Sequence, residues 1–267
     1  MKKNILLINP WIHDFAAYDL WMKPLGLLIL GSILRKNGHT VSLVNCLNWQ
    51  HPDLARDKGI LLPKRRNDGR GELPRRVIPK PGKLDFIPRH YRRFGIPPEI
   101  FLNDLFKIAR PDIILVTSLM TYWYPGVFEA IGLLRQVFPE VPVVLGGNYA
   151  TLCPEHAKMS GADAIVRGEG ERYLAGIFQE YLGIDLSFMP DCADLDSYPY
   201  PALDLLGTID QVPLRTSRGC PYRCTYCASF VLHQGFSQRK PEMVSHEIDY
   251  WHKKQGVNHF SLYDDAF

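Results

Sequence analysis

A chain of 267 residues with 46% apolar and 22% charged content has core material for one large domain or two smaller ones. Its net charge of +3 points to neither nucleic acid nor a membrane as a partner. No apolar run approaches the roughly 18 residues of a spanning helix, and the one after Lys2-Lys3 stops at Asn9-Pro10, short of the roughly 7–15 residues of a signal-peptide core; the expectation is a cytoplasmic protein with reduced cysteines.

The first half alternates strands and helices. NILLIN (4–9) reads as a buried strand, followed by a polar-aromatic loop (10–21). GLLILGSILRKNG (26–38) has helical spacing and a Gly stop, and TVSLVN (40–45) is a strand. A helix over 100–110 halts at Pro111, and DIILVTS (112–118) is a buried strand. Pro125 opens a helix over 126–138, and VPVVLGG (141–147) is a strand ending in two glycines. A short helix (154–161), a fifth strand (162–168) and a closing helix (170–183) follow. Such alternation implies an α/β domain with a parallel sheet covered on both faces.

Residues 50–98 interrupt that rhythm with 13 of the 31 Lys and Arg and 5 of the 28 acids. The span is rich in Pro and Gly and reads as a solvated, partly disordered insertion. The sharper alternative is an anion-binding lid or partner-contacting arm, docked through Phe86, Tyr91 and Phe94.

A polar connector (184–211) marks a domain boundary. After it come a strand (212–217), the loop RGCPYRCTYC (218–227), an amphipathic helix (241–256) and a strand (257–265). This is one βαβ unit. The division is therefore 1–183, a linker at 184–211, and 212–267.

Cys220, Cys224 and Cys227 fall within eight residues. Four cysteines close a zinc or iron–sulfur site, whereas three leave a position open for another ligand. Arg218, Arg223 and backbone N–H groups could offset thiolate charge. A zinc site completed by His233 or His246, or three unreactive cysteines, are the alternatives. Iron content and charge-transfer absorbance after anaerobic reconstitution separate them.

CPYRCTYC, a C-x3-C-x2-C pattern with an aromatic before the last cysteine, resembles the signature of radical S-adenosylmethionine enzymes. The resemblance implies that Cys220, Cys224 and Cys227 hold a [4Fe–4S] cluster whose fourth iron chelates S-adenosylmethionine. One electron then cleaves that cosubstrate to a 5′-deoxyadenosyl radical. It also implies that Tyr226 lies near the adenine. Asp264 and Asp265 would sit at the end of the second strand of a partial (β/α)6 barrel, facing the cluster side or capping the next turn. Only the start of that barrel is represented, so the chain is expected to be a fragment, inactive alone, of a longer enzyme.

GLLILGSILRKNGHTVSLVN, RPDIILVTS, VPVVLGGNYATLCPEHA and GADAIVRGEGE resemble the cobalamin-binding-like domain of B12-dependent radical SAM proteins. The implied fold is a flavodoxin/Rossmann-like doubly wound sheet of order 2-1-3-4-5, with its ligand crevice at the carboxyl ends of strands 1 and 3. Candidate cobalamin contacts are His13, Thr117, Ser118, Gly146, Gly147 and Glu169. The Asp-x-His-x-x-Gly motif of axial histidine ligands is absent, so His13 defaults to a surface or hydrogen-bonded histidine, with cobalt ligation the weaker option. The GEGE run (168–171) does not fit G-x-G-x-x-G and reads as a helix N-terminus, with Glu169 in the crevice as the weaker option.

The function implied is radical methylation or rearrangement of a small-molecule or unknown substrate, using the cluster, S-adenosylmethionine, cobalamin and a reductant such as flavodoxin or ferredoxin. One rival is a radical SAM tRNA-modifying enzyme gripping RNA through Arg65, Arg66, Arg75 and Arg76. The spacing of Cys46, Cys153 and Cys192, with gaps of 107 and 39 residues, poorly fits the second cluster of the methylthiotransferases among them. The other rival is a metal- or corrinoid-binding module without catalysis.

Overall fold

The computed structural model describes residues 1–57 and 59–267. In chain order the first unit contains β1 (Asn4–Asn9), β2 (Ile12–Asp14), β3 (Tyr18–Asp19), α1 (Leu25–Lys36), β4 (Thr40–Asn45), β5 (Gly71–Glu72), β6 (Arg75–Val77) and β7 (Arg92–Phe94). It continues with α2 (Pro98–Lys107), β8 (Ile113–Val116), α3 (Tyr124–Val137), β9 (Val143–Leu145), α4 (Asn148–Leu152), α5 (Pro154–Ala157), β10 (Ala164–Ile165) and α6 (Glu171–Leu182). Among the described residues no helix is long and apolar enough to cross a membrane.

The central sheet is parallel, in the order β10-β9-β8-β1-β4. Counted by strand within the sheet this is the expected 2-1-3-4-5. β1 lies between β4 and β8, with Ile5 opposite both Val41 and Ile113. Successive strand residues point to opposite faces, which splits the core in two. Leu6, Ile8, Ile114 and Val116 pack with residues of α2 and α3. Ile5, Leu7, Ile113 and Leu115 pack with residues of α1 and α6. Each such fully buried Leu or Ile contributes roughly 1.5–3 kcal/mol. That two-sided burial explains why the strands read as continuous apolar runs.

The described residues of 50–98 are folded, which corrects the expectation of a solvated, partly disordered insertion. β2, β7 and β6 form a three-stranded sheet, and β3 pairs with β5. Stretch 10–21, read as loop, therefore supplies two strands that receive the insertion. Leu54, Ile60, Leu73, Tyr91 and Phe94 are buried, whereas Phe86 is exposed. The arginines are largely answered from within: Arg65 pairs with Asp19 at 2.7 Å, Arg75 with Glu72 at 2.8 Å and Arg76 with Asp57 at 2.6 Å. Of the four arginines an RNA grip would use, Arg66 is the most exposed, 3.8 Å from Asp68. Paired charge and buried aromatics offset the ordering cost that composition alone made look prohibitive.

The connector is a strap rather than a loose linker. Phe188, Met189, Tyr198 and Leu205 pack against the core on the α1 and α6 side. Ala202 donates its N–H to the Leu28 carbonyl, Ser32 Oγ donates to the Tyr200 carbonyl, and Asn37 Oδ1 accepts the Phe188 N–H.

The second unit contains β11 (Val212–Leu214), β12 (Ser217–Arg218), α7 (Ser229–Leu232), β13 (Ser237–Gln238), α8 (Pro241–Gln255) and β14 (Phe260–Leu262). β11 and β14 pair in parallel, as a βαβ unit requires, and β12 pairs antiparallel with β13. Leu28 and Leu203 share an apolar cluster with Val212, Leu214, Trp251 and Val257, which ties the units together.

Candidate functional site

A cavity of about 290 Å³ opens at the carboxyl end of the central sheet, between the two units. α/β sheets collect ligands there because parallel strands deliver all their following loops to one edge. Thr117 and Ser118 follow β8, Gly146 and Gly147 follow β9, and Gly168 and Glu169 follow β10; all line the cavity. So do Arg215, Arg218, His233 and Asp265 from the second unit.

Gly147 is required by geometry. Its φ is +96°, and a Cβ there would lie 2.2 Å from the Ser118 carbonyl oxygen. That oxygen accepts the Asn148 N–H at 2.9 Å, while Ser118 Oγ donates to the Gly146 carbonyl at 2.6 Å. The β8 and β9 loops are thereby locked against each other. Gly147→Ala is expected to cost about 1–3 kcal/mol and to widen the cavity wall; a denaturant melt of the variant checks it.

The junction is highly charged and mostly buried. Arg218, whose side chain is 3% exposed, pairs with Glu171 and lies 3.4 Å from Glu169. Glu169 also accepts from Arg172 at 2.5 Å and lies 3.5 Å from His233 Nδ1. Burial would raise the Glu169 carboxyl, but His233, Arg172 and Arg218 outweigh it and bring the pKa to about 2. His233 Nε2 lies 3.3 Å from Asp265, and Asp265 accepts from Ser229 Oγ at 2.7 Å. One cluster of ion pairs thus links the β10–α6 loop to both ends of the cysteine loop.

That loop starts on a second obligatory glycine: Gly219 has φ +75°, and a Cβ would lie 2.0 Å from the Gly235 carbonyl oxygen. Cys220 is half-buried, while Cys224 and Cys227 are exposed. Cys227 Sγ accepts the Ser229 N–H at 3.4 Å. Among the described residues no three His, Cys, Asp or Glu side chains converge as a single metal ion needs. An iron–sulfur cube makes a different demand, one thiolate at each of three separate corners. Three soft thiolates on one loop, one half-buried and two exposed, are the donor type an iron–sulfur cluster takes, and they match what the resemblance implies. His233 is occupied by Glu169 and Asp265, so it does not complete a zinc site.

The sequence candidates divide cleanly. Thr117, Ser118, Gly146, Gly147, Glu169 and Asp265 line the cavity. The weaker option for Glu169, facing the crevice, is the observed one. His13 does not line it: it is buried on β2, its Nε2 2.8 Å from Glu129, packed edge-on against Tyr91. Arg93 also pairs with Glu129, so the β2–β7 sheet captures His13 and aims it at α3. Asp264 caps a strand, accepting the Thr216 and Ser217 N–H groups at 2.7 and 2.8 Å. Tyr226 is 91% exposed and does not reach the cavity. Arg218, expected to screen the thiolates, is committed to Glu171 and Glu169. Arg215, Glu171 and His233 were missed as cavity-side groups. Their charged type at a strand end was the available signal, but nothing in the sequence pairs Glu171 with Arg218, 47 positions away.

Residues 94–178 match the family model described as the B12 binding domain. An uncharacterized methyltransferase of Pyrococcus horikoshii is 28% identical over 204 residues, 65% of this chain and 44% of that protein. An anaerobic magnesium-protoporphyrin IX monomethyl ester cyclase of Cereibacter sphaeroides is 26% identical, over 61% of this chain and 32% of its own length. Among solved structures, the radical S-adenosylmethionine methyltransferase TsrM of Kitasatospora setae, seen with cobalamin and a [4Fe–4S] cluster, superposes with a TM-score of 0.59 at 16% identity. The match covers 99% of this chain and 48% of TsrM, and it establishes a shared fold. The chain spans less than half the length of each of these proteins.

Proposed function

We propose that this chain, a B12-binding-domain protein of the radical SAM type, is the cofactor-binding portion of a longer radical SAM enzyme that methylates or rearranges its substrate. The observation that carries this reading is a three-cysteine loop whose root, Arg218 and Gly219, lines a strand-end cavity next to a segment that matches the B12 binding domain. Cys220, Cys224 and Cys227 would hold the [4Fe–4S] cluster, and the walls at Thr117, Ser118, Gly146 and Gly147 would seat part of a corrinoid. When bound, the cluster supplies the electron that cleaves S-adenosylmethionine, and the corrinoid supplies methyl-transfer chemistry.

The protein's own part is positioning. Gly147 and Ser118 hold the cavity wall, and the Glu169–Arg218–Glu171 cluster anchors the root of the cysteine loop to α6. Asp265 and His233 anchor its far end. Methyl transfer is favoured over other outcomes by the methyltransferases among the relatives. Hydroxocobalamin is expected to bind the chain with a shift of its visible spectrum, and Thr117→Trp, at a half-buried position of the cavity wall, to abolish the shift while the far-UV circular dichroism stays that of the wild type. A folded wild-type chain that leaves the spectrum unchanged would remove the corrinoid from this reading.

A further inference from the structure

The cavity carries a positive charge that the protein leaves unanswered. Arg215 lines it, and among the described residues its guanidinium has no ion-pair or hydrogen-bond partner; only its carbonyl is used, by Arg239. The nearby buried carboxylates are taken: Glu169 by Arg172 and Arg218, and Glu171 by Arg218. Three guanidiniums therefore share two buried carboxylates. Asp265, at the rim, is held by Ser229 and His233. The Tyr198 ring lies 5.5 Å from the Arg215 guanidinium carbon, which orients the group without neutralising it. Burial and the neighbouring Arg218 lower the Arg215 pKa to about 10, against the opposing pull of Glu171, Tyr198 and Glu169, so it stays charged at neutral pH. A half-buried charge that faces a cavity without a counter-ion is free to take an anion from a ligand. The first turn of α1 lines the same cavity, with no capping side chain and no acidic residue, so its positive end adds to the field. Lys23 nearby is already paired with Asp210 at 2.8 Å.

We propose that the cavity receives an oxyanion of its ligand, a carboxylate or a phosphodiester, and that Arg215 is the residue that binds it. This goes beyond the corrinoid reading, since any ligand bearing such a group is accommodated. A corrinoid nucleotide phosphodiester and the carboxylate of S-adenosylmethionine are the two sources.

Two measurements on the intact chain test it. Inorganic phosphate, compared with chloride at equal ionic strength, is expected to raise the melting temperature of the wild type but not of R215Q. Without phosphate, R215Q should be at least as stable as the wild type, because it removes an unpaired charge. The wild type should also bind hydroxocobalamin about tenfold more tightly than cobinamide, which lacks the phosphodiester, or S-adenosylmethionine about tenfold more tightly than its decarboxylated form. R215Q should erase the preference. A wild type indifferent to phosphate, or an R215Q that keeps the full phosphate response, overturns the proposal. Should R215Q not fold, the ligand pairs decide alone: equal affinity within both pairs overturns it. Phosphate stabilisation without binding of either corrinoid would sink the corrinoid reading and leave this one standing; equal binding of both corrinoids without any phosphate response would do the reverse.

Discussion

Replacing Cys220, Cys224 and Cys227 together by alanine is expected to remove all the iron and sulfide taken up on anaerobic reconstitution. Each single replacement should lose most of it. The physical ground is the donor set. Thiolates are the ligands that hold iron–sulfur clusters, and the three stand on one loop whose two ends are pinned. Nothing nearby can substitute, because the neighbouring His233 and Asp265 are paired with each other. The loop is exposed, so the alanines remove no core packing and the fold should survive. Iron and sulfide assays with visible absorbance, alongside far-UV circular dichroism, check both halves. Unchanged iron in the triple variant would end the cluster reading, and zinc in its place would move the loop to the structural-metal class.

The second large effect is on stability. Arg218→Met should destabilise the chain by about 3–5 kcal/mol, because it leaves buried Glu171 without its counter-ion and buried Glu169 with only Arg172 and His233. In a chain of this size that lowers the melting temperature by about 10 °C. The pH dependence follows from Glu169. Its carboxyl is depressed to about 2 in the folded protein against an ordinary value of 4.5. The folded state therefore binds fewer protons than the unfolded state. The contribution, on the order of 3 kcal/mol, is fully present above about pH 4.5 and is lost as pH falls toward 2. In the methionine variant the Glu169 pKa rises, so acid unfolding begins at higher pH. Acid titrations of both proteins by circular dichroism would show it; coincident acid limbs would mean Arg218 does not stabilise the Glu169 carboxylate.

A loosened junction also has a functional reading. Arg218 stands two residues before Cys220, so Arg218→Met should leave the reconstituted loop more mobile as well as the chain less stable.

Much of this was legible in the one-dimensional pattern. The order of apolar runs and helical periods dictates a parallel sheet, since a strand buried on both faces must be covered by helices on both. The parallel topology in turn carries the loops after β8 and β9 to one edge, so Thr117, Ser118, Gly146 and Gly147 could be named before any coordinates. The three cysteines were legible as a candidate metal or cluster loop because they are neighbours in sequence, and their resemblance to a known signature is what narrowed the choice. Tertiary structure decided what depends on partners far apart in the chain. Residues 50–98 looked solvated and partly disordered by composition, yet Asp19 and the strands of the 10–21 stretch lie outside the span and pair with it. His13 looked free until Glu129, 116 positions away, took its ring nitrogen. Glu169 and Glu171 reach Arg218 only because α6 and β12 meet, and that meeting leaves Arg215 alone in the cavity. Local periodicity is written along the chain, whereas charge compensation is a property of three-dimensional neighbours, and the cavity's electrostatics belong to the second kind.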